Sequence, residues 1–195
     1  MTTDEDLFSE WQGGSAGALE ALVRRYQAPL LAHLMRIHWD AQLAEDLVQE
    51  TFLRLVRESH HYRYPRPFRP WLYTIARNLA RTHWQSAYHR HETNDPPDGV
   101  EESGDQPDPQ EWLERWERRE GLLHAISCLS FEQRETLSLR FGQGLSVDEA
   151  AQVMGISSGT VKSRTFTALR HLRDRLATAD NAQAASQGGT TYEGR

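Results

Sequence analysis

The sequence contains a single cysteine, Cys128, among its 195 residues. One cysteine excludes an internal disulfide framework of the kind that small secreted domains use. No apolar run is long enough to cross a bilayer or to act as a secretory signal. We therefore expect a cytoplasmic protein without membrane insertion. Because Cys128 lies in an apolar run, we also expect its thiol to be packed in the interior.

The alternation of apolar and polar residues that is typical of strands is also missing. Apolar residues recur at helical spacing almost throughout, which predicts an all-α fold. The N-terminal half shows three apolar stripes and is predicted to be a helical bundle with these stripes in its core. The stripes comprise Leu19, Leu22, Val23, Tyr26 and Leu30, then Leu43, Leu47, Phe52, Leu55 and Val56, and finally Trp71, Leu72, Ile75 and Leu79.

Nine histidines raise the question of a metal-dependent enzyme acting on nucleic acid. The pairs His60-His61 and His89-Arg90-His91 lack the i, i+4 spacing with a glutamate that marks a zinc hydrolase helix. We therefore expect no metal site at these histidines.

The formal net charge of −6 is unevenly distributed along the chain. Residues 92–110 hold seven acidic residues, four prolines and no basic residue, so the remainder carries a net charge of +1. Such a segment cannot bury enough apolar surface to offset the entropy cost of ordering, and it predicts a flexible acidic linker. The predicted organisation is therefore a first domain (1–91), the linker (92–110), a second small helical domain (111–177) and a disordered tail (178–195).

The last part of the first domain is strongly basic. Residues 54–91 contain eight arginines, five histidines and one acidic residue, Glu58. A basic block of this kind can follow a phosphate backbone, although it is also compatible with an ordinary solvated helical surface.

Residues 145–172 have the pattern of a helix-turn-helix. Ser146 followed by Glu149 forms a capping box, which predicts that a helix begins directly after Ser146. Gly155 then ends that helix, since glycine adopts the left-handed conformation without steric cost. Ser157 is the predicted N-cap of a second helix. Its core-facing positions are predicted to be Val161, Thr165, Ala168, Leu169 and Leu172.

The opposite side of this second helix is polar and basic, with Lys162, Ser163, Phe166, Thr167, Arg170 and Arg173. The pattern fits a recognition helix lying in a DNA major groove. A plain solvated face is the alternative interpretation.

Three runs in this order carry a family resemblance: AEDLVQETFLRLVR at 44–57, FRPWLYTIARNLA at 68–80 and the region 127–176 after the acidic linker. Together they resemble a bacterial RNA polymerase sigma factor of the extracytoplasmic-function (ECF) group. The resemblance implies a protein that performs no covalent chemistry, is not an enzyme and uses no cofactor. It would bind core RNA polymerase, direct it to specific promoters and promote strand separation, with the first domain at the −10 element and the second at the −35 element.

The resemblance also assigns partners to particular positions. Asp46, Gln49 and Glu50 match the helix that docks on the clamp helices of the largest polymerase subunit. The flap of the second-largest subunit is a further implied contact, and an anti-sigma factor is a regulator that the resemblance allows.

For promoter DNA, the resemblance assigns two groups of residues. The −10 element would meet Tyr62, Tyr64, Asn78, Arg77 and Arg81. The −35 element would meet Arg140, Lys162, Ser163, Phe166, Thr167 and Arg170. Members of the family often carry an acidic residue followed by a basic run at residues 82–85. This chain departs from that pattern, with Thr, His, Trp and Gln at these positions. A free-standing helix-turn-helix regulator that binds duplex DNA without polymerase would explain the C-terminal half equally well.

Overall fold

The computed structural model of the protein describes residues 2–89 and 121–187, and every regular element in these ranges is helical, as predicted. The first range holds α1 (Asp4–Gln12), α2 (Ala16–His38), α3 (Ala41–Arg57), a short 3₁₀ turn (Ser59–His61) and α4 (Phe68–His89). The second range holds α5 (121–127), α6 (Phe131–Leu137), a π-helical turn (Ser138–Gly142), α7 (Val147–Met154) and α8 (Ser158–Gln187).

The first domain is built around an aromatic cluster that α1 completes. Thr3 caps α1 in a capping box with Asp6, and the helix places Phe8 in the interior without solvent exposure. The ring of Phe8 lies 4.7 Å from that of Tyr62 and 5.2 Å from that of Trp71. The apolar stripes did not predict α1, so its contribution to the core is a finding of the structure.

Most of the predicted core positions of the first domain are buried. Leu22, Leu30 and Leu72 are fully enclosed, and Trp71 is 6% exposed. The prediction is wrong for Val56, which is 42% exposed on the outer side of α3. The stripe that includes Leu47 and Leu55 faces the core, and Val56 lies outside that arc.

The second domain differs from the sequence predictions at three places. Cys128 is exposed rather than packed, because it lies at the end of α5 just before the cap of α6. Leu169 is 45% exposed, because Ala168 takes the core-facing position at that level of α8. Helix α8 continues to Gln187, ten residues beyond the predicted domain boundary. The predicted linker, 92–110, lies outside the described residues.

The two domains pack against each other. Helices α2 and α4 of the first domain contact α6, the π-helical turn and α7 of the second, and we call this contact the interdomain interface. At one end the Trp84 ring stacks on Phe131 at 5.2 Å, with the Arg134 guanidinium 5.6 Å from the Trp84 ring. His33 also contacts the second domain, with its Nδ1 2.8 Å from Ser138 Oγ. The buried residues of both domains therefore form one continuous core.

Candidate nucleic-acid interface

The helix-turn-helix forms as predicted. The Ser146 hydroxyl accepts a hydrogen bond from the Glu149 amide at 3.1 Å, and the Glu149 carboxylate accepts one from the Ser146 amide at 2.7 Å. The hydrogen bond from the Ser146 amide is the main cause that lowers the pKa of Glu149. Gly155 ends α7 with a φ of 63°, in the left-handed region that favours glycine. The Ser157 hydroxyl then accepts a hydrogen bond from the Thr160 amide at 3.1 Å, which caps α8.

Helix α8 has one face packed against the core of the second domain and an opposite face turned toward solvent. Val161 and Ala168 are fully buried against the rest of the second domain. Lys162, Ser163 and Arg170 are exposed, Thr167 is half-buried, and the Phe166 ring is 69% exposed. Five of the six predicted −35 residues therefore share one solvent-facing side of a single helix. An exposed phenyl ring in that setting contributes nothing to the core.

Arg140, the sixth predicted −35 residue, does not lie on α8. It lies in the π-helical turn, half-buried, and its guanidinium donates a hydrogen bond to the carbonyl of Leu145. It thereby holds the segment that leads into α7, beside the recognition helix rather than on it.

The two tyrosines of the loop between α3 and α4 differ in solvent exposure. Tyr62 is 2% exposed, its hydroxyl donates to the Arg66 carbonyl, and burial raises its pKa to about 12. Its ring is therefore part of the core and is not available to stack a base, which corrects the prediction for this residue. Tyr64 is 57% exposed, and its hydroxyl lies 3.3 Å from an Asp6 carboxylate oxygen.

Helix α4 presents two of its three predicted DNA residues to solvent. Asn78 and Arg81 are exposed one turn apart. Arg77 is 8% exposed, and its Nε lies 3.0 Å from Oε1 of Glu135 in the second domain. In this arrangement the Arg77 guanidinium is committed to the interdomain interface, so it cannot contact a phosphate.

The outer side of α3 combines polar and apolar groups. Asp46 and Gln49 are exposed, and Glu50 is half-buried with a carboxylate oxygen 3.5 Å from the Arg57 guanidinium. Leu53, 51% exposed, and Val56 continue the same side of the helix. Sequence reasoning missed both apolar residues, although the spacing 46, 49, 53 and 56 would have placed them there.

Comparison with known proteins identifies the family. The model of Sigma-70 region 2 matches residues 22–90, and the model of Sigma-70 region 4 matches residues 125–174. The chain is 34% identical to the ECF RNA polymerase sigma factor SigL of Mycobacterium tuberculosis, over 82% of this chain and 92% of that protein. The chain belongs to the ECF group of RNA polymerase sigma factors. Sigma factors of this kind bind core RNA polymerase, direct it to specific promoters and promote strand separation, and membership favours this activity over a free-standing regulator.

Two further relatives are also named RNA polymerase sigma factors. The sigma factor is 36% identical to ECF RNA polymerase sigma factor BldN of Streptomyces coelicolor, over 86% of this chain and 63% of that protein. It is 33% identical to RNA polymerase sigma-H factor of Pseudomonas aeruginosa, over 85% of this chain and 89% of that protein.

Solved structures share the fold of this sigma factor. CnrH, in complex with the cytosolic domain of CnrY, superposes with a TM-score of 0.66 at 23% identity, covering 90% of this chain and 97% of that one. RpoE of Bartonella quintana, in complex with the anti-sigma factor NepR, gives 0.63 at 23% identity, covering 81% and 96%.

Within residues 2–89 and 121–187, no group of three or more His, Cys, Asp or Glu side chains is placed to hold a metal ion. Over the same part of the chain, no helix has the length and hydropathy needed to cross a membrane.

Proposed function

We propose that the first domain of this sigma factor reads the −10 element while the second reads the −35 element. The observation that carries the proposal is the side of α8 that holds Lys162, Ser163 and Phe166, which is exposed and makes no contribution to the fold. A helix in this position of a helix-turn-helix lies in the major groove of DNA.

The chemistry of the exposed α8 side suits base recognition. The Lys162 ammonium can donate to the acceptor edge of guanine, and the Phe166 ring can contact a thymine methyl group. Arg170 lies two turns along the same side and supplies a positive charge for phosphate. Arg140 supports this helix pair through its bond to the Leu145 carbonyl.

The first domain supplies groups that suit a separated strand. Tyr64 is the exposed ring of the loop before α4, and stacking a base on an aromatic ring contributes ~1–3 kcal/mol. The Asn78 amide offers a donor and an acceptor to a base edge, and Arg81 is exposed for phosphate contact. The buried Tyr62 has a supporting role in this proposal, because its bond to the Arg66 carbonyl shapes the loop.

The outer side of α3 is the proposed docking site for the polymerase clamp helices. Asp46, Gln49 and Glu50 give it polar specificity, while Leu53 and Val56 give it apolar area to bury. Protein interfaces combine an apolar centre with a polar rim in this way. The polymerase flap is the proposed partner of the second domain.

Two modules on one chain gain affinity from effective concentration once polymerase fixes their spacing. Each module alone is therefore expected to bind promoter DNA weakly. Tight and specific binding of a promoter by the purified chain without polymerase would contradict this part of the proposal. We place the activity in the cytoplasm, where polymerase works.

Run-off transcription with core polymerase tests the residue assignments. Asn78→Ala should reduce transcription about fivefold or more, because a base contact is worth ~1–3 kcal/mol. Phe166→Ala should reduce it on promoters that carry the −35 element. Gln27→Ala, an exposed change on α2, and Gln152→Ala, an exposed change on α7, are the controls. Full activity of Asn78→Ala or Phe166→Ala would remove that residue from the proposed site.

An anti-sigma factor is a further proposed partner, and two structural neighbours support it. The structural neighbours CnrH and RpoE were solved with CnrY and NepR, and the latter is named as an anti-sigma factor. The mixed polar and apolar side of α3 is the surface that such a protein would cover. A bound inhibitor should be displaced from the wild-type chain by core polymerase, and Leu53→Ser should weaken both complexes. An inhibitor whose binding is indifferent to Leu53→Ser would exclude this surface.

A further inference from the structure

Helix α1 contacts the loop between α3 and α4 at its start and in its middle. We call this loop, residues 58–67, the −10 loop, because of the role proposed for it. Gln12 Nε2, at the end of α1, donates a hydrogen bond to the Ser59 carbonyl at 2.8 Å. The Phe8 ring packs edge-on against that of Tyr62, with the ring centroids 4.7 Å apart. The two contacts fix the path of the first half of the loop on α1.

The same helix also fixes the end of the −10 loop, where α4 begins. The Glu5 carboxylate accepts a hydrogen bond from the Phe68 amide at 2.8 Å. The first amides of a helix have no partner within it, and Pro67, directly before α4, has no side-chain oxygen that could accept from them. Glu5 therefore caps α4 from a different helix. Asp4 anchors α1 itself, because its carboxylate accepts a hydrogen bond from the Tyr26 hydroxyl of α2.

Asp6 of α1 holds the exposed tyrosine of this loop. The Tyr64 hydroxyl donates to Asp6 Oδ1 at 3.3 Å, and this is the one hydrogen bond of the Tyr64 side chain among the described residues. The Asp6 carboxylate is itself fixed, because its other oxygen accepts from the Thr3 amide in the capping box of α1. A ring that is 57% exposed has little packing to select one rotamer. The hydrogen bond to Asp6 is therefore what restricts it.

Helix α1 lies outside the part of the chain matched by the Sigma-70 region 2 model, which begins at residue 22. We propose that α1 is a positioning element for the −10 loop and that Asp6 is the positioning residue for the Tyr64 ring. This role rests on the proposed function of Tyr64 at the −10 element. By holding the ring before DNA arrives, Asp6 removes part of the ordering cost of stacking a base on it. The proposed polymerase site on α3 is not involved.

Binding of a single strand to the assembled holoenzyme tests Asp6. The probe is a fluorescent oligonucleotide that carries the −10 element of a promoter transcribed by the wild-type chain with core polymerase. Asp6→Ala should raise the Kd of this probe roughly twofold to tenfold, the range expected when one side chain must be ordered on binding. Assembly with core polymerase should be half-maximal at the wild-type concentration, because α3 is unchanged. An unchanged probe Kd in a folded Asp6→Ala chain would overturn the proposal.

Tyr64→Phe removes the same hydrogen bond but keeps the ring and the cap of α1, so it also serves if Asp6→Ala folds poorly. It should raise the probe Kd by a factor similar to that of Asp6→Ala. The double variant should show no further loss, because both changes break one interaction. No loss in Tyr64→Phe, or losses that multiply in the double variant, would show that Asp6 does not act through Tyr64 and would overturn the proposal.

Glu10→Ala is the matched control for charge. Glu10 is an exposed carboxylate of the same helix, and it lines the same surface cavity as Asp6 and Tyr64. The probe Kd of Glu10→Ala should not rise above the wild-type value, because removing a negative charge does not weaken binding to a phosphate backbone. A rise equal to that of Asp6→Ala would overturn the specific role of Asp6.

Tyr64→Ala separates this proposal from the function on which it rests. If Tyr64→Ala binds the probe as the wild type does, the −10 assignment of Tyr64 is wrong and the positioning role of Asp6 is refuted with it. If Tyr64→Ala weakens binding while Asp6→Ala and Tyr64→Phe do not, only the positioning role of Asp6 is refuted. The proposal predicts a loss in all three variants, with the largest in Tyr64→Ala.

Discussion

His33 predicts how the stability of the folded chain depends on pH. Its imidazole is completely buried in α2, with Nδ1 2.8 Å from Ser138 Oγ and the ring edge-on to Tyr73. Burial, with a smaller contribution from the Arg36 charge, lowers the pKa of His33 to about 3. The native side chain is therefore neutral at pH 5, whereas an unfolded histidine with a pKa near 6.5 is mostly protonated.

The sign and size of the effect follow from this difference. The stabilising contribution of a neutral buried histidine is complete above pH 6.5 and is lost as the pH falls toward 3. Between pH 7 and pH 5, protonation of this histidine stabilises the unfolded state by ~2 kcal/mol. The unfolded pKa lies about 1.5 units above pH 5, and each unit corresponds to ~1.4 kcal/mol. His38, whose pKa burial lowers to about 4, acts in the same direction, and Glu135, with a pKa raised to about 7, opposes it.

The contribution of His33 is isolated by comparing variants. Urea unfolding at pH 7 and pH 5 should show a pH-dependent loss about 2 kcal/mol smaller in His33→Gln than in the wild type. His60→Gln, at an exposed position, should behave as the wild type. In NMR titrations the His33 ring should remain neutral to below pH 4. Titration of His33 near pH 6.5, or equal losses of unfolding free energy on acidification in His33→Gln and the wild type, would refute a neutral buried imidazole.

Three substitutions test the local structure of the fold. Gly155→Ala places a side chain at a φ of 63° and should lower the free energy of unfolding by ~1–2 kcal/mol; an unchanged melting temperature would contradict the left-handed turn. Ser146→Ala removes the cap of α7 and should cost ~1 kcal/mol in urea unfolding, while Ser146→Asp should restore most of it. Phe8→Ala empties the aromatic cluster and should cost ~3–5 kcal/mol, so a loss below 1 kcal/mol would show that α1 does not complete the core.

The helix-turn-helix was predictable because its signals are local. Capping residues such as Ser146 and a left-handed Gly155 act within one or two turns, so their effect can be predicted from a short stretch of sequence. Helix α1 shows no apolar stripe in the sequence, because it is short and Phe8 is its one buried residue. Its position depends on an aromatic cluster assembled from distant parts of the chain, which periodicity does not reveal.

Spacing predicts which side of a helix is apolar, but it does not identify what that side contacts. Tyr62 fits the family pattern of a DNA-binding loop, yet its ring completes the aromatic core of the first domain. Val56 was predicted to be buried and instead extends the exposed side of α3. The interdomain interface includes single polar residues, with Gln143 bonded to the Tyr73 hydroxyl and Glu135 beside Arg77. Nothing in their neighbourhood in sequence distinguishes them from solvated residues.

We infer that this chain gives core RNA polymerase its promoter specificity. The most direct test is run-off transcription with core polymerase over a pool of promoters, with and without the purified chain. We predict transcripts that depend on the chain and start from a limited set of promoters sharing −10 and −35 sequences. The absence of any transcript above the level of core polymerase alone, across a pool that includes the upstream region of the chain's own gene, would contradict the account.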